Sequence, residues 1–315
     1  MPKKRLTAYL LLTLTAAIWG VAGPVIKATL VYLPSFTFLF WRFLITAVIF
    51  IPLFIFFFKK EKETLKSILP IVPIGFLGIP LCLSFVFLGF ERTTALDGTV
   101  IAAIAPIFIV LGGVFFLKEK VTKLETMGLV VAIAGSVVMI SQPLLEGGGF
   151  AHRNLLGNIF IILSDIAWAG YVIASKKEFK KHSPLIITSV SLFTGLVAIF
   201  PLALLEKGPQ IFNFSSLISN PTALWGVLYM ALLSSALAFF AFESGLRLIE
   251  ASEATLFAYL QPIFAAPLAI FWLKESITVP FLIGAGIIII GVFLTEYKTH
   301  IKPRIYRPSA KGPYF

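Results

Sequence analysis

The chain has 315 residues, 58% of them hydrophobic and only 13% charged, with a mean hydropathy of +0.97. A soluble domain dresses its surface with about 25% charged residues, so lipid rather than water is the main solvent here. The formal net charge of +11 is not a nucleic-acid signature, because the basic residues sit in short clusters between apolar runs and the aromatics lie inside those runs.

A helix of about 20 apolar residues crosses a hydrocarbon layer ~30 Å thick. Ten stretches qualify in chain order: 6–26, 36–58, 68–90, 95–117, 124–141, 155–175, 184–205, 223–246, 254–273 and 279–297. The first lacks a small-residue cleavage site and reads as a span, not a signal peptide. The expected fold is an all-α polytopic membrane protein with ten transmembrane helices. With the N-terminus in the cytoplasm, 20 Lys and Arg residues fall in inside segments and five outside. This asymmetry predicts that both termini are cytoplasmic, in the plasma membrane. The basic tail over 298–315 is expected to lie against anionic headgroups.

The chain repeats itself. PIFIVLGGVFFLKE over 106–119 and PIFAAPLAIFWLKE over 262–275 share seven of fourteen positions at an offset of 156. Each copy leads into an apolar helix with glycines seven apart, Gly128 and Gly135 in one and Gly284 and Gly291 in the other, a spacing suited to close helix packing. Earlier in the halves the offset is 149, matching Trp19 with Trp168, Lys27 with Lys176 and Pro52 with Pro201. The expected units are 1–141 and 155–297, joined by a linker over 142–154. Five helices per unit is an odd number, so the second unit enters the membrane upside down. Inverted repeats characterise secondary transporters, in which two equivalent halves exchange conformations around a mid-membrane site. A static pore is the alternative.

The ordered set Trp19-Gly20, Trp41-Arg42-Phe43 and the two Pro-Ile-Phe…Leu-Lys-Glu segments, each with its glycines, resembles the EamA-type exporters of the drug/metabolite transporter superfamily. The resemblance covers residues 6–297. It implies export of amino acids or other small metabolites through a central cavity lined by helices one to four and six to nine, with helices five and ten outside it. One departure is that helix two carries Arg42 where helix seven carries Ser191.

Several side chains are candidates for the site. Pro106 and Pro262 remove a backbone donor and release the carbonyls of Ala102 and Ala258, which calls for a cavity-lining kink or a packing kink. Asp165 lies at the midpoint of helix six, where an ionised carboxylate costs at least ~2.5 kcal/mol. It reads as a substrate-amine contact, a protonatable coupling group or a structural hydrogen-bonding residue. Asn158 and Trp168 share its helix face. Arg42 either snorkels to the interface or binds a substrate carboxylate. Glu243 either pairs with Arg247 four residues on or faces inward with Ser235 and Phe239 as a proton or cation gate. Trp19 and Trp168 read as belt residues or as cavity walls offering cation–π contact. Tyr259 and Gln261 replace alanines of the first copy beside Pro262, as specificity features or as interhelical hydrogen-bonding groups.

No Gly-rich phosphate loop, His-Glu-x-x-His, Gly-x-Ser-x-Gly or Cys-x-x-Cys occurs. No cofactor, metal or catalytic role is therefore expected. The expected partners are a small-molecule substrate, the bilayer and coupling protons, with the chain a monomer or weak homodimer. The function expected is secondary export of amino acids or similar metabolites. The alternatives are a passive channel and a multidrug efflux carrier.

Overall fold

The computed structural model describes residues 3–102, 104–118, 123–140, 152–274 and 279–297, and no strand occurs among them. Their longer helical runs are α1 (Lys3–Leu30), α2 (Ser35–Lys60), α3 (Ile71–Phe90), α4 in two segments (Ala95–Ala102 and Ala105–Leu117), α5 (Lys123–Ile140), α6 (His152–Glu178), α7 (Pro184–Lys207), α8 (Pro221–Leu248), α9 (Ala251–Phe271) and α10 (Val279–Tyr297), with short helical turns at Leu65–Ile68, Gly208–Phe212 and Phe214–Ile218 between them. Seven of the described runs are long and apolar enough to span a membrane, while α4, α5 and α10 contribute shorter apolar helices. Glu119, Glu275, most of the linker and the basic tail lie outside the described residues.

Local chemistry sets the helix ends. The Ser183 hydroxyl accepts from the Ile186 N–H and the Asn220 amide oxygen from the Ala223 N–H, with Pro184 and Pro221 in the first turn. Pro34 cannot cap α2 in this way. Glu206, at the far end of α7, does so across the interface by accepting the N–H groups of Phe36 and Thr37 at 3.1 and 2.6 Å. Lys118 and Lys274, the lysines of the two Leu-Lys-Glu segments, both adopt the left-handed conformation, with φ of 56° and 59°, and so stop the helices that precede them.

Pro106 opens the second segment of α4, and Pro262 lies inside the continuous run of α9, where a 3₁₀ stretch gives way to α-helix. Each stands in the first turn of an α-helical segment, where its missing N–H costs nothing. The turn before each is tightened. Ile104 donates to the Ile101 carbonyl at 2.9 Å, and Thr255–Leu260 is a 3₁₀ helix. α3 and α8 carry π-helical stretches, Leu77–Leu81 and Tyr229–Leu237, which free backbone carbonyls in mid-helix.

Helix pairing repeats with twofold logic. α1 packs on α8 and α9 as α6 packs on α3 and α4, while α2 pairs with α7 and α5 with α10. A side chain at Gly291 would meet the Gly128 carbonyl oxygen at 2.6 Å and the Ala132 nitrogen at 2.7 Å, so α5 and α10 touch backbone to backbone. The contacts also define two faces. Arg5 and Tyr9, near the start of α1, bond Glu253 at the start of α9, and His182 just after α6 bonds Glu63 just before α3. The start of α1 and the end of α6 thus share one face, here called the N-terminal face, so the two halves run in opposite senses.

The symmetry extends to single atoms. The Lys27 ammonium donates to the carbonyls of Phe90 and Thr93 at 2.9 and 2.6 Å. The Lys176 ammonium donates to the carbonyls of Leu246, at 2.5 Å, and Ile249. The two lysines are 149 apart and their acceptors 156 apart. Each lysine therefore caps the carbonyl end of α3 or α8, at opposite faces.

Candidate functional site

Between the halves lies a cavity of about 1020 Å³ of atom-free space, its open mouth included. α1, α2, α3, α4, α6, α8 and α9 line it. Among the described residues α5 and α10 supply no lining residue, as the resemblance implied, and neither does α7, which that expectation had included. Along α1 the lining runs from Leu12 to Ile26, whereas along α6 it stops at Trp168. Along α9 it begins at Ala254, in the first turn at the N-terminal face, so the space runs from there to Ile26 and Phe90 toward the opposite face.

At its centre the symmetry-related Trp19 and Trp168 meet edge to face, with centroids 5.3 Å apart. Phe239 and Phe242 stand 5.2 and 5.3 Å from Trp19 and complete an aromatic floor. These tryptophans are not interfacial belt residues, because they meet on the pseudo-twofold axis. Trp19 is fixed by its indole N–H, which donates to the Ser234 carbonyl at 3.1 Å, within the π-helical stretch of α8.

Arg42 is 1% exposed, so it does not snorkel to the interface. Its Nε donates to Ser235 Oγ at 2.6 Å and its Nη2 to Ser234 Oγ at 3.3 Å, leaving Nη1 without a hydrogen-bond partner. Asp165 is 4% exposed, and its Oδ2 has no partner either. Both residues line the cavity, and Cys82 on the same wall is within electrostatic reach of both. No ion pair among those found joins them. A fixed cation and a fixed carboxyl group thus face one solvent-accessible space without neutralising each other.

The other candidates separate. Gln261 lines the cavity together with Ala258, Ala102 and Ala105, but Pro106 and Pro262 lie buried behind them. Tyr259 is 1% exposed and packs away from the cavity, against Leu96 and Ala132, with its hydroxyl unpartnered. The two-residue helical step that brings Gln261 inward turns Tyr259 outward. Asn158 accepts from the Thr93 hydroxyl at 2.9 Å instead of lining the space. Glu243 is fully buried, makes no ion pair with Arg247 and does not reach the cavity. Thr99 and Thr255, which both line it, were not anticipated. They are identical residues at an offset of 156, a signal the repeat itself carried.

The EamA-like transporter family model matches the chain twice, over residues 6–141 and 155–297. The chain belongs to the EamA-like transporter family. An uncharacterized transporter of Archaeoglobus fulgidus is 27% identical over 93% of this chain and 98% of its own length. The uncharacterized transporter YetK of Bacillus subtilis is 31% identical over 94% of this chain and 88% of its own. A solved crystal structure shares the fold with a TM-score of 0.70 at 16% identity, covering 95% of this chain and 99% of that one. An EamA-like protein is a multi-pass membrane transporter. In this EamA-like chain, the two family-matched stretches enclose the cavity that holds Arg42 and Asp165.

Proposed function

We propose that the protein is a secondary carrier that exports amino acids or closely similar zwitterionic metabolites by alternating access. The observation that carries this reading is the unneutralised pair, Arg42 and Asp165, on one aromatic-walled cavity. A buried charge without a partner is costly. A ligand bearing both an ammonium and a carboxylate compensates both at once, while its side chain rests on the Trp19–Trp168 floor. A highly anionic cargo would leave the Asp165 carboxyl without a cationic partner, and an apolar drug would leave both polar groups unpaired. The inverted arrangement of the halves and their matched lysine caps support alternating access, and the basic-residue asymmetry supports a cytoplasmic N-terminal face.

Counterflow in proteoliposomes tests this with labelled leucine as the probe. Unlabelled leucine on the far side accelerates exchange in a carrier and leaves an open pore unaffected. Isopentylamine, which lacks the carboxylate, and 4-methylpentanoate, which lacks the ammonium, are expected to compete about tenfold to a hundredfold more weakly than leucine. Competition by either at the strength of leucine overturns the zwitterion reading.

A further inference from the structure

A second polar cluster lies off the cavity, toward the N-terminal face. Glu243 on α8 is fully buried, and neither of its carboxyl oxygens has a hydrogen-bond partner. Tyr171 and Ser175 on α6 and Ser191 on α7 are also fully buried, with their hydroxyls unpartnered. The four are neighbours: Tyr171 interacts electrostatically with Glu243, Ser191 and Ser175, although no bond among them closes fully. α3 presses on the cluster, since a Cβ at Gly78 would meet the Tyr171 ring at 2.3 Å and one at Gly75 the Ser191 backbone at 2.6 Å.

The repeat says what this place is. Stepping back 149 residues takes Tyr171, Ser175 and Ser191 to Ala22, Ile26 and Arg42, and stepping back 156 takes Glu243 to Phe87. Ala22, Ile26 and Arg42 line the cavity where it extends toward the opposite face. The cluster is therefore the buried counterpart, in the second half, of a wall that lines the cavity in the first, with Ser191 standing where the first half has Arg42 and Glu243 where it has Phe87.

We propose that Glu243 is a proton-binding site and that its proton controls the Lys176 cap one helical turn away. The groups facing it are few. α6 brings Tyr171 and Lys176, which lies within electrostatic reach. α7 brings Ser191, Arg247 stands one turn on along α8 without pairing with it, α1 packs Leu12 and Ala8 against Gly245 on the other side of α8, and at the start of α9 Glu253 is held by Arg5 and Tyr9. With its proton, Glu243 is neutral and Lys176 stays on the Leu246 and Ile249 carbonyls, closing the N-terminal face. When Glu243 releases H⁺ to water at that face, the carboxylate competes with those carbonyls for the Lys176 ammonium, and the end of α8 loosens. A proton fits better than a metal ion, because the Lys176 ammonium already supplies one positive charge and three hydroxyls can pass a proton on.

Two measurements on purified protein in lipid test this without any substrate, so their outcome is independent of the zwitterion reading. Infrared difference spectra between acid and alkaline pH are expected to contain a carboxylic-acid carbonyl band that is lost in Glu243→Gln and moved in Tyr171→Phe. In a Cys82→Ser background, Ser175→Cys is expected to react with a thiol reagent several-fold faster as pH rises, beyond the thiol's own ionisation. With Glu243→Gln added, only that ionisation should remain. Tyr171→Phe keeps the carboxyl and reports by infrared even where Glu243→Gln folds poorly. A band unchanged by Glu243→Gln, labelling with the same pH profile in both backgrounds, or a response that requires sodium overturns the proposal.

Discussion

At the scale of single residues, the buried polar groups divide by what they reach. Glu206 is the clearest structural one, because its carboxylate takes two N–H groups that Pro34 cannot cap. Glu206→Ala is expected to destabilise the protein by about 1–2 kcal/mol, read as a lower melting temperature, while competition among ligands keeps its order. Trp19→Phe removes the indole donor from the Ser234 carbonyl but preserves most of the aromatic floor. It is expected to cost about 1 kcal/mol of stability and to weaken leucine exchange, the two losses being separable by melting and by counterflow. Much of this was legible in the chain, since Trp19, Arg42, Asp165, Trp168 and Gln261 are conspicuous in an apolar run and all line one cavity. Tyr171, Ser175 and Ser191 were not legible. Lone hydroxyls in a membrane helix carry no sign of which neighbour they face, and the cluster arises only when α6, α7 and α8 are brought together.

At the scale of elements, the repeat specified pairing more sharply than hydropathy specified boundaries. α5 and α10 show it, for their glycines place backbone against backbone. Gly291→Ala inserts a methyl group where only the Gly128 and Ala132 backbone could yield, and overpacking of this kind costs about 1–3 kcal/mol. The expected outcome is a lower melting temperature with leucine affinity kept, because neither helix lines the cavity. The prolines show what hydropathy and composition missed. A proline inside an apolar run suggests a kinked helix, yet Pro106 begins a new segment and Pro262 follows a 3₁₀ stretch within α9. The tightening of the preceding turn is a backbone adjustment with no residue signature of its own.

At the scale of the molecule, two five-helix units in opposite senses were predicted from an odd helix count and a shifting offset, and the contacts at the two faces show that inversion. The matched lysines were seen in the sequence only as alignment anchors. Their function as caps depends on where α3 and α8 end, which no local pattern states. If the caps hold opposite faces, removing one biases the carrier toward opening that face. Lys176→Gln is expected to increase reagent access from the N-terminal face several-fold, and Lys27→Gln to do the same from the other. Each should slow counterflow, and identical access profiles for the two variants would contradict the assignment.

The two caps are also built of the same parts, one ammonium and two backbone carbonyls each. In the proposed cycle, engaging one while releasing the other exchanges ammonium–carbonyl bonds for bonds of the same kind. A machine balanced in this way has no ratchet of its own. Left unloaded it would run either way, and net efflux would come from the concentration difference of its cargo and of the proton that biases one cap.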